Sequence, residues 1–256
     1  MSKEKEKELQ QLKNRFRDLA DKSYQQNMFT FSGFLGLSEQ DVFWQMEQEL
    51  CHAGFLLFGG IENTDRKMLR FGNANELGYE VPFPIVCIHI QPLMAKFADK
   101  LSHRDFLGAL MNLGIQRDTI GDIKVGEKEA YLFCTETIAD YICENLNKIK
   151  HTNVKCVKNA EYEELPEEKP EKQLLQVASL RVDVVVAKVY HQSRGDCLEL
   201  FAAGKVFVNG RLCENNAKVL KDVDVINARG FGKFVLVAAR GESKKGKRNV
   251  EVDIYR

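Results

Sequence analysis

Cations placed at the ends of backbone elements are the first residues in this chain whose types and spacing could do chemistry. In SRGDCLELFAAGKVFVNGR, Ser193 to Arg211, Arg194 follows a serine suited to cap a helix and Lys205 follows Gly204, suited to stop one. Arg211 follows Asn209-Gly210, a pair favoured in two-residue hairpin turns. Arg181 stands at an earlier helix entrance, with Asp183 in that helix's first turn, and Lys233 lies in a later glycine-rich turn. Guanidinium and ammonium donors gathered beside helix N-termini suit phosphate oxygens, so the expected chemistry is the holding of a polyanion.

Other patterns are weaker. GESKKGKR, from Gly241, has the spacing of a nucleotide-binding loop, but Arg248 stands where a Ser or Thr would hold magnesium, and no helix follows. Lys244, Lys245, Lys247 and Arg248 read instead as a basic tail able to add phosphate contacts, or as a plain hairpin loop. The letters HRD at His103 to Asp105 match a kinase catalytic loop, yet position 110, where that loop needs Asn, is Leu; Ser102 before them makes a helix start. Arg66, Lys67 and Arg70 follow a Gly-Gly turn and can meet a partner, although a solvated face is the commoner reading. The seven cysteines and five histidines show no metal spacing and no C-x-x-C pair, so no metal, cofactor or disulfide framework is expected.

Total charge is zero, 37 basic against 37 acidic residues, but it is unevenly spread. Leu174 to Arg256 carries 15 basic and 9 acidic residues, net +6, leaving 22 and 28 upstream, net −6. The cation excess coincides with the cluster described above. The N-terminus is charged and helix-forming, and no stretch approaches the roughly 18 apolar residues of a membrane span, so a soluble cytoplasmic protein is expected.

The elements that must position these residues follow from periodicity. Leu9, Leu12, Phe16 and Leu19 mark an amphipathic helix over residues 3 to about 26. A second is expected after Leu37, capped by Ser38, with Val42, Phe43, Met46 and Leu50 on one side. FLLF, from Phe55, is a short strand. From Pro82 the order β-α-β-β-α-β predicts a ferredoxin-like, RNA-recognition-like sandwich, although EAYLFCT lacks the usual RNA-recognition strand signature and offers only Tyr131 and Phe133. AEYEELPEEKPEKQ, with six Glu and two Pro, reads as a linker. The predicted fold is α+β. Its parts are a mostly helical region (1–78), the ferredoxin-like domain (79–159), an acidic linker (160–173), and a C-terminal module (174–256) of two short helices on a small twisted antiparallel sheet.

R-V-D from Arg181, S-R at Ser193-Arg194, G-K-V-F-V-N-G-R from Gly204 and D-V-I from Asp224 resemble the S-four-type (αL motif) RNA-binding domain. LSHRDFLGALMNLGIQRDTIGDI, GGIENTDRKMLRFG and RGFGKF extend the resemblance to the YlmH family over nearly the whole chain. That resemblance implies binding of structured RNA by Arg181, Asp183, Ser193, Arg194, Lys205, Val208, Asn209, Gly210 and Arg211, and suggests that Arg104 faces RNA. It implies ribosomal RNA and peptidyl-tRNA on the large ribosomal subunit as partners, a role in ribosome-associated quality control or translation, and no catalysis. Neither DNA nor membrane is expected, and the protein is expected to be a monomer. Where many such domains follow Ser-Arg with a further cation, this chain has Gly195 and Asp196. The alternative is an RNA-modifying enzyme, a pseudouridine synthase or methyltransferase carrying the same appended domain; it requires a catalytic Asp loop or glycine-rich cofactor site upstream, and neither is found.

Overall fold

The long N-terminal helix α1 (Lys3–Gln26) buries Phe16 and Ala20 against α2 (Leu37–Leu50), as its apolar spacing dictates. A computed structural model describes residues 3–163, 170–242 and 246–255. Between and after these helices run β1 (Thr30–Leu35), β2 (Phe55–Phe58), β3 (Lys67–Phe71) and the short α3 (Ala74–Leu77). The three strands form an antiparallel sheet in the order β1-β3-β2, so the region expected to be mostly helical carries a sheet of which the sequence announced only β2. The cap of α2 also differs from expectation. Gly36, not Ser38, is the N-cap, and the Glu39 carboxylate accepts from the Gly36 amide at 2.6 Å.

The next elements are β4 (Ile85–Pro92), α4 (His103–Asn112), β5 (Ile120–Val125), β6 (Ala130–Thr135), α5 (Glu136–Asn145), β7 (Lys148–Ile149) and β8 (Thr152–Lys158). Their sheet runs β5-β6-β4-β8-β7, all antiparallel, with the first strand of the β-α-β-β-α-β series inside the sheet. Alternation along β4 sends Val86, Ile88 and Ile90 toward α4 and α5, where Phe106, Leu110, Ala139 and Ile142 complete a core. Each fully buried side chain of this kind is worth about 1.5–3 kcal/mol. Ser102 starts α4 as the sequence indicates, its amide and hydroxyl both donating to Asp105 at 2.8 and 2.7 Å.

All of this lies in one unit, Met1–Pro166; Glu167–Arg256 forms a second. The second unit comprises β9 (Glu171–Val177), α6 (Val182–Val189), α7 (Arg194–Ala202), β10 (Val206–Val208), β11 (Arg211–Leu212), β12 (Val225–Ala228), β13 (Gly232–Glu242) and β14 (Arg248–Tyr255). Its sheet is antiparallel in the order β11-β10-β12-β13-β14-β9. The final residues of the expected linker, from Glu171, are therefore strand, and β14 follows the segment expected to be a tail. Val182, Val185, Val186 and Val189 of α6 pack with Leu200 and Phe201 of α7 on Val206, Ile226, Phe234, Leu236, Val250 and Val252 of the sheet. Of the apolar α7 residues, Leu198 stays exposed.

Candidate nucleic-acid interface

The C-terminal cations are positioned by backbone signals that the sequence displays. Ser193 caps α7: its hydroxyl accepts from the Asp196 amide at 3.2 Å and donates to the Asp196 carboxylate at 2.7 Å. Asp196, of the Gly195-Asp196 pair, thus supplies the carboxylate half of the cap. Gly204 stops the helix with φ +63, and Asn209 and Gly210 take φ +52 and +76, as a type I′ hairpin requires.

Arg181 is the N-cap residue of α6, and its guanidinium lies on the Asp183 carboxylate at 2.6 and 3.1 Å. Asp183 is only 5% exposed and also accepts from the Val184 amide at 2.9 Å. The hydrogen bond to Asp183 and the charge of that carboxylate raise the already high Arg181 pKa, so the side chain stays charged and fixed in direction. Asp183 can therefore aim the arginine rather than touch an anion itself. Beside the pair runs a groove of about 540 Å³ whose walls include Arg181, Lys188, Arg194 and Lys247. Among the described residues its lining carries four cations and one carboxylate, the buried Asp183 already engaged by Arg181. Such a surface attracts a phosphate chain. Lys188 was not singled out in the sequence because no landmark flanks it, yet the helical spacing from Arg181, seven residues, was there to read.

The other expected residues are distributed differently. Lys205 and Arg211 are exposed at the hairpin, outside the groove. Val208 is buried in the core, so it can support the hairpin but not meet a ligand with its side chain. The Asn209 amide is spent on the turn: it donates to Asp224 at 2.8 Å and accepts from the Val225 amide at 2.8 Å. Lys233 lies in β13, not in a turn, with its ammonium 5.4 Å from the Tyr255 ring centre. Arg248 opens β14 on an exposed position, and Lys244 and Lys245 lie outside the described residues.

In the first unit the half-buried Arg66 is engaged by its own fold. Its guanidinium donates to the carbonyls of Phe34, Arg117 and Ile120 at 2.7 to 2.9 Å. Arg117, beside it, is pushed down to about 10 by burial and by the neighbouring Arg66 charge. Arg70 is likewise buried, over the Phe29 and Phe83 rings and hydrogen-bonded to the Val81 carbonyl at 2.8 Å. Lys67 is half-buried at the start of β3, and Arg104 is exposed on α4.

The open face of the β4/β6 sheet is covered by this unit's own residues. Tyr131 and Phe133 are 3% and 2% exposed. Tyr131 stacks on His89 with centroids 4.4 Å apart, and Tyr162 meets both Tyr131 and Phe133 edge-on or tilted. Phe34 of β1 and Met68 of β3 pack on Phe133, and Gly60 approaches so closely that a Cβ there would lie 2.4 Å from the Phe133 ring. Base stacking on exposed strand aromatics, the usual mode of RNA-recognition sheets, is closed to these two rings.

No group of three or more His, Cys, Asp or Glu able to hold a metal occurs among the described residues. Burial pushes the Cys87 and Cys197 thiols up to about 11 and those of Cys134 and Cys156 up to about 12, which keeps them protonated and inert. Among the described residues no helix is long and apolar enough to cross a membrane.

Comparison with known proteins bears on this arrangement. Residues 80–164 match the family described as "Putative RNA-binding domain in YlmH". The "Cell division protein ylmH" of Streptococcus pneumoniae, a solved structure, is 18% identical, with a TM-score of 0.49, covering 64% of this chain and 96% of that one. "Ribosome-associated protein quality control protein P2" of Bacillus subtilis is 32% identical over 203 residues, 76% of each chain. With that identity sustained over three quarters of both sequences, and the YlmH domain matched at its centre, the chain belongs to the YlmH family.

Proposed function

We propose that this protein is a non-catalytic RNA-binding factor of the ribosome, holding large-subunit ribosomal RNA and peptidyl-tRNA during ribosome-associated quality control. The observation that carries this reading is the groove whose lining brings together Arg181, Lys188, Arg194 and Lys247, with the buried Asp183 already paired to Arg181. Cations at the ends and along the face of two short helices, with Lys247 just before β14, can bind phosphate without reading base sequence, as a factor that recognises folded RNA requires. The Bacillus relative's name carries the ribosomal and quality-control assignment to this chain as part of the proposal. In the same reading the C-terminal unit is an S-four-type domain, the β4–β8 region a ferredoxin-like one, the protein acts in the cytoplasm as a monomer, and DNA is not a ligand.

The experiment is equilibrium binding of labelled transfer RNA and large-subunit ribosomal RNA fragments to the full chain and to a Lys188→Ala/Arg194→Ala variant. At about 1 kcal/mol per lost phosphate contact the variant should bind roughly 30-fold more weakly. Equal affinity would reject the groove as the RNA site.

A further inference from the structure

The middle domain of the first unit bears a family description as a putative RNA-binding domain, yet its sheet aromatics are shut in by β1, β3 and Tyr162. An RNA contact in this domain therefore needs a different surface. The helical side offers one. α4 and the turn from the end of α5 into β7 border an open groove of about 450 Å³, lined by Arg104, Gly108 and Asn112 on one side and Asn145, Lys148 and Lys150 on the other. Asp105 is the one carboxylate on this lining, and its charge is taken up by Lys150 at 2.8 Å and by Ser102 at 2.8 and 2.7 Å. With Lys150 paired to Asp105, Arg104 and Lys148 leave the groove positive among the described residues.

Gly108 is the informative position. It sits inside α4, where glycine weakens a helix relative to alanine, and packing does not demand it: a Cβ there would meet nothing within 4 Å. Its effect is to leave the α4 side of the groove bare between Arg104 and Asn112, so that another backbone can approach the helix there. Asn112 on that side and Asn145 across from it add amide groups able to meet ribose hydroxyls, Asn145 while its Nδ2 also donates to the Tyr141 carbonyl at 2.8 Å.

We propose that this groove is a second RNA site, one that holds a sugar-phosphate backbone and replaces the closed sheet face as the RNA contact of the middle domain. The proposal rests on the RNA-binding reading of the whole chain given above. It assigns Arg104 and Lys148 to phosphate, Gly108 to close approach, and Lys150 to fixing Asp105.

The test uses the full chain with a labelled large-subunit ribosomal RNA fragment, measured across a salt series. An Arg104→Ala/Lys148→Ala variant should bind roughly 30-fold more weakly, with a slope of log affinity against log salt shallower by about 1.4 to 1.8, the loss of two phosphate contacts. Gly108→Glu should weaken binding at least as much while its unfolding midpoint stays at or above wild type, because glutamate favours an exposed helix over glycine. Affinity within twofold of wild type for both variants, while Lys188→Ala/Arg194→Ala binds weakly, overturns this site alone. Unchanged RNA affinity with lost sedimentation on ribosomes would give the groove to a protein partner and also overturn it. A wild-type chain that binds no RNA overturns this proposal and the reading it rests on together.

Discussion

Val223 should be more stable as glycine. Its φ is +64, in the left-handed region where a β-branched residue is rare, and its side chain is 73% exposed, so removing the isopropyl group sacrifices little packing. The conformation is imposed by its neighbours. The Val223 amide donates to Leu236 O at 2.7 Å, Asp224 accepts from Lys221 N and from Asn209, and Asp222 accepts from Ala239 N at 2.8 Å. A left-handed non-glycine residue costs about 1–2 kcal/mol, and glycine returns about 0.5–1 kcal/mol of that through the freedom it gives the unfolded chain. Val223→Gly should therefore gain about 1 kcal/mol, or about 4–8 °C in the unfolding midpoint of a unit of this size. Val223→Ala, which keeps the Cβ, should gain less. Hydrogen exchange of the β12 and β13 amides in the full chain reads this unit separately from the other. A Val223→Gly protein whose amides exchange as fast as wild type, or faster, would refute the reasoning.

Three further outcomes follow from the first unit and the thiols. Gly121→Ala would place a Cβ 2.6 Å from the Phe34 ring and 3.1 Å from the Phe133 carbonyl, and should destabilise by about 1–3 kcal/mol in urea unfolding; an unchanged midpoint would mean that β1 does not close the sheet face. Lys150 and Ser102 hold the Asp105 pKa at about 2, below its ordinary 3.8. A depressed acid stabilises the fold above its unfolded pKa and loses that contribution as pH falls through the folded one, so wild type and Asp105→Asn should converge in stability between pH 3.8 and about 2, and parallel curves would contradict the contact. Iodoacetamide at neutral pH should modify exposed Cys51 first and leave Cys134 and Cys156 untouched until unfolding, as peptide mass mapping would report.

The parts of the structure legible in the sequence are those set by local rules. Ser193 as cap, Gly204 as stop and Asn209-Gly210 as hairpin turn each follow from one residue's own conformational preference, and the β-α-β-β-α-β series follows from alternating periods of apolar residues. What was not legible depends on residues distant in the chain. β9 is hidden because EKQLLQV continues an acidic run, and only its partner β14 makes it a strand. Arg66 looked like a surface cation because the three carbonyls that consume it come from positions 34, 117 and 120. The covering of Phe133 by Phe34, Met68 and Gly60 likewise exists only in three dimensions. Lys188 joined the site because α6 turns its exposed face toward Arg194. Landmark reading thus found Arg181 and Arg194 at the helix starts and the cations of the hairpin, but not Lys188 on the face of α6.

Lysine acetylation footprinting of the full chain, with and without saturating transfer or ribosomal RNA, asks most plainly whether that groove holds RNA. Lys188 and Lys247, exposed on its walls, should lose reactivity when RNA is bound. If RNA binds and both lysines remain as reactive as in the free protein, the groove is not where this protein grips RNA.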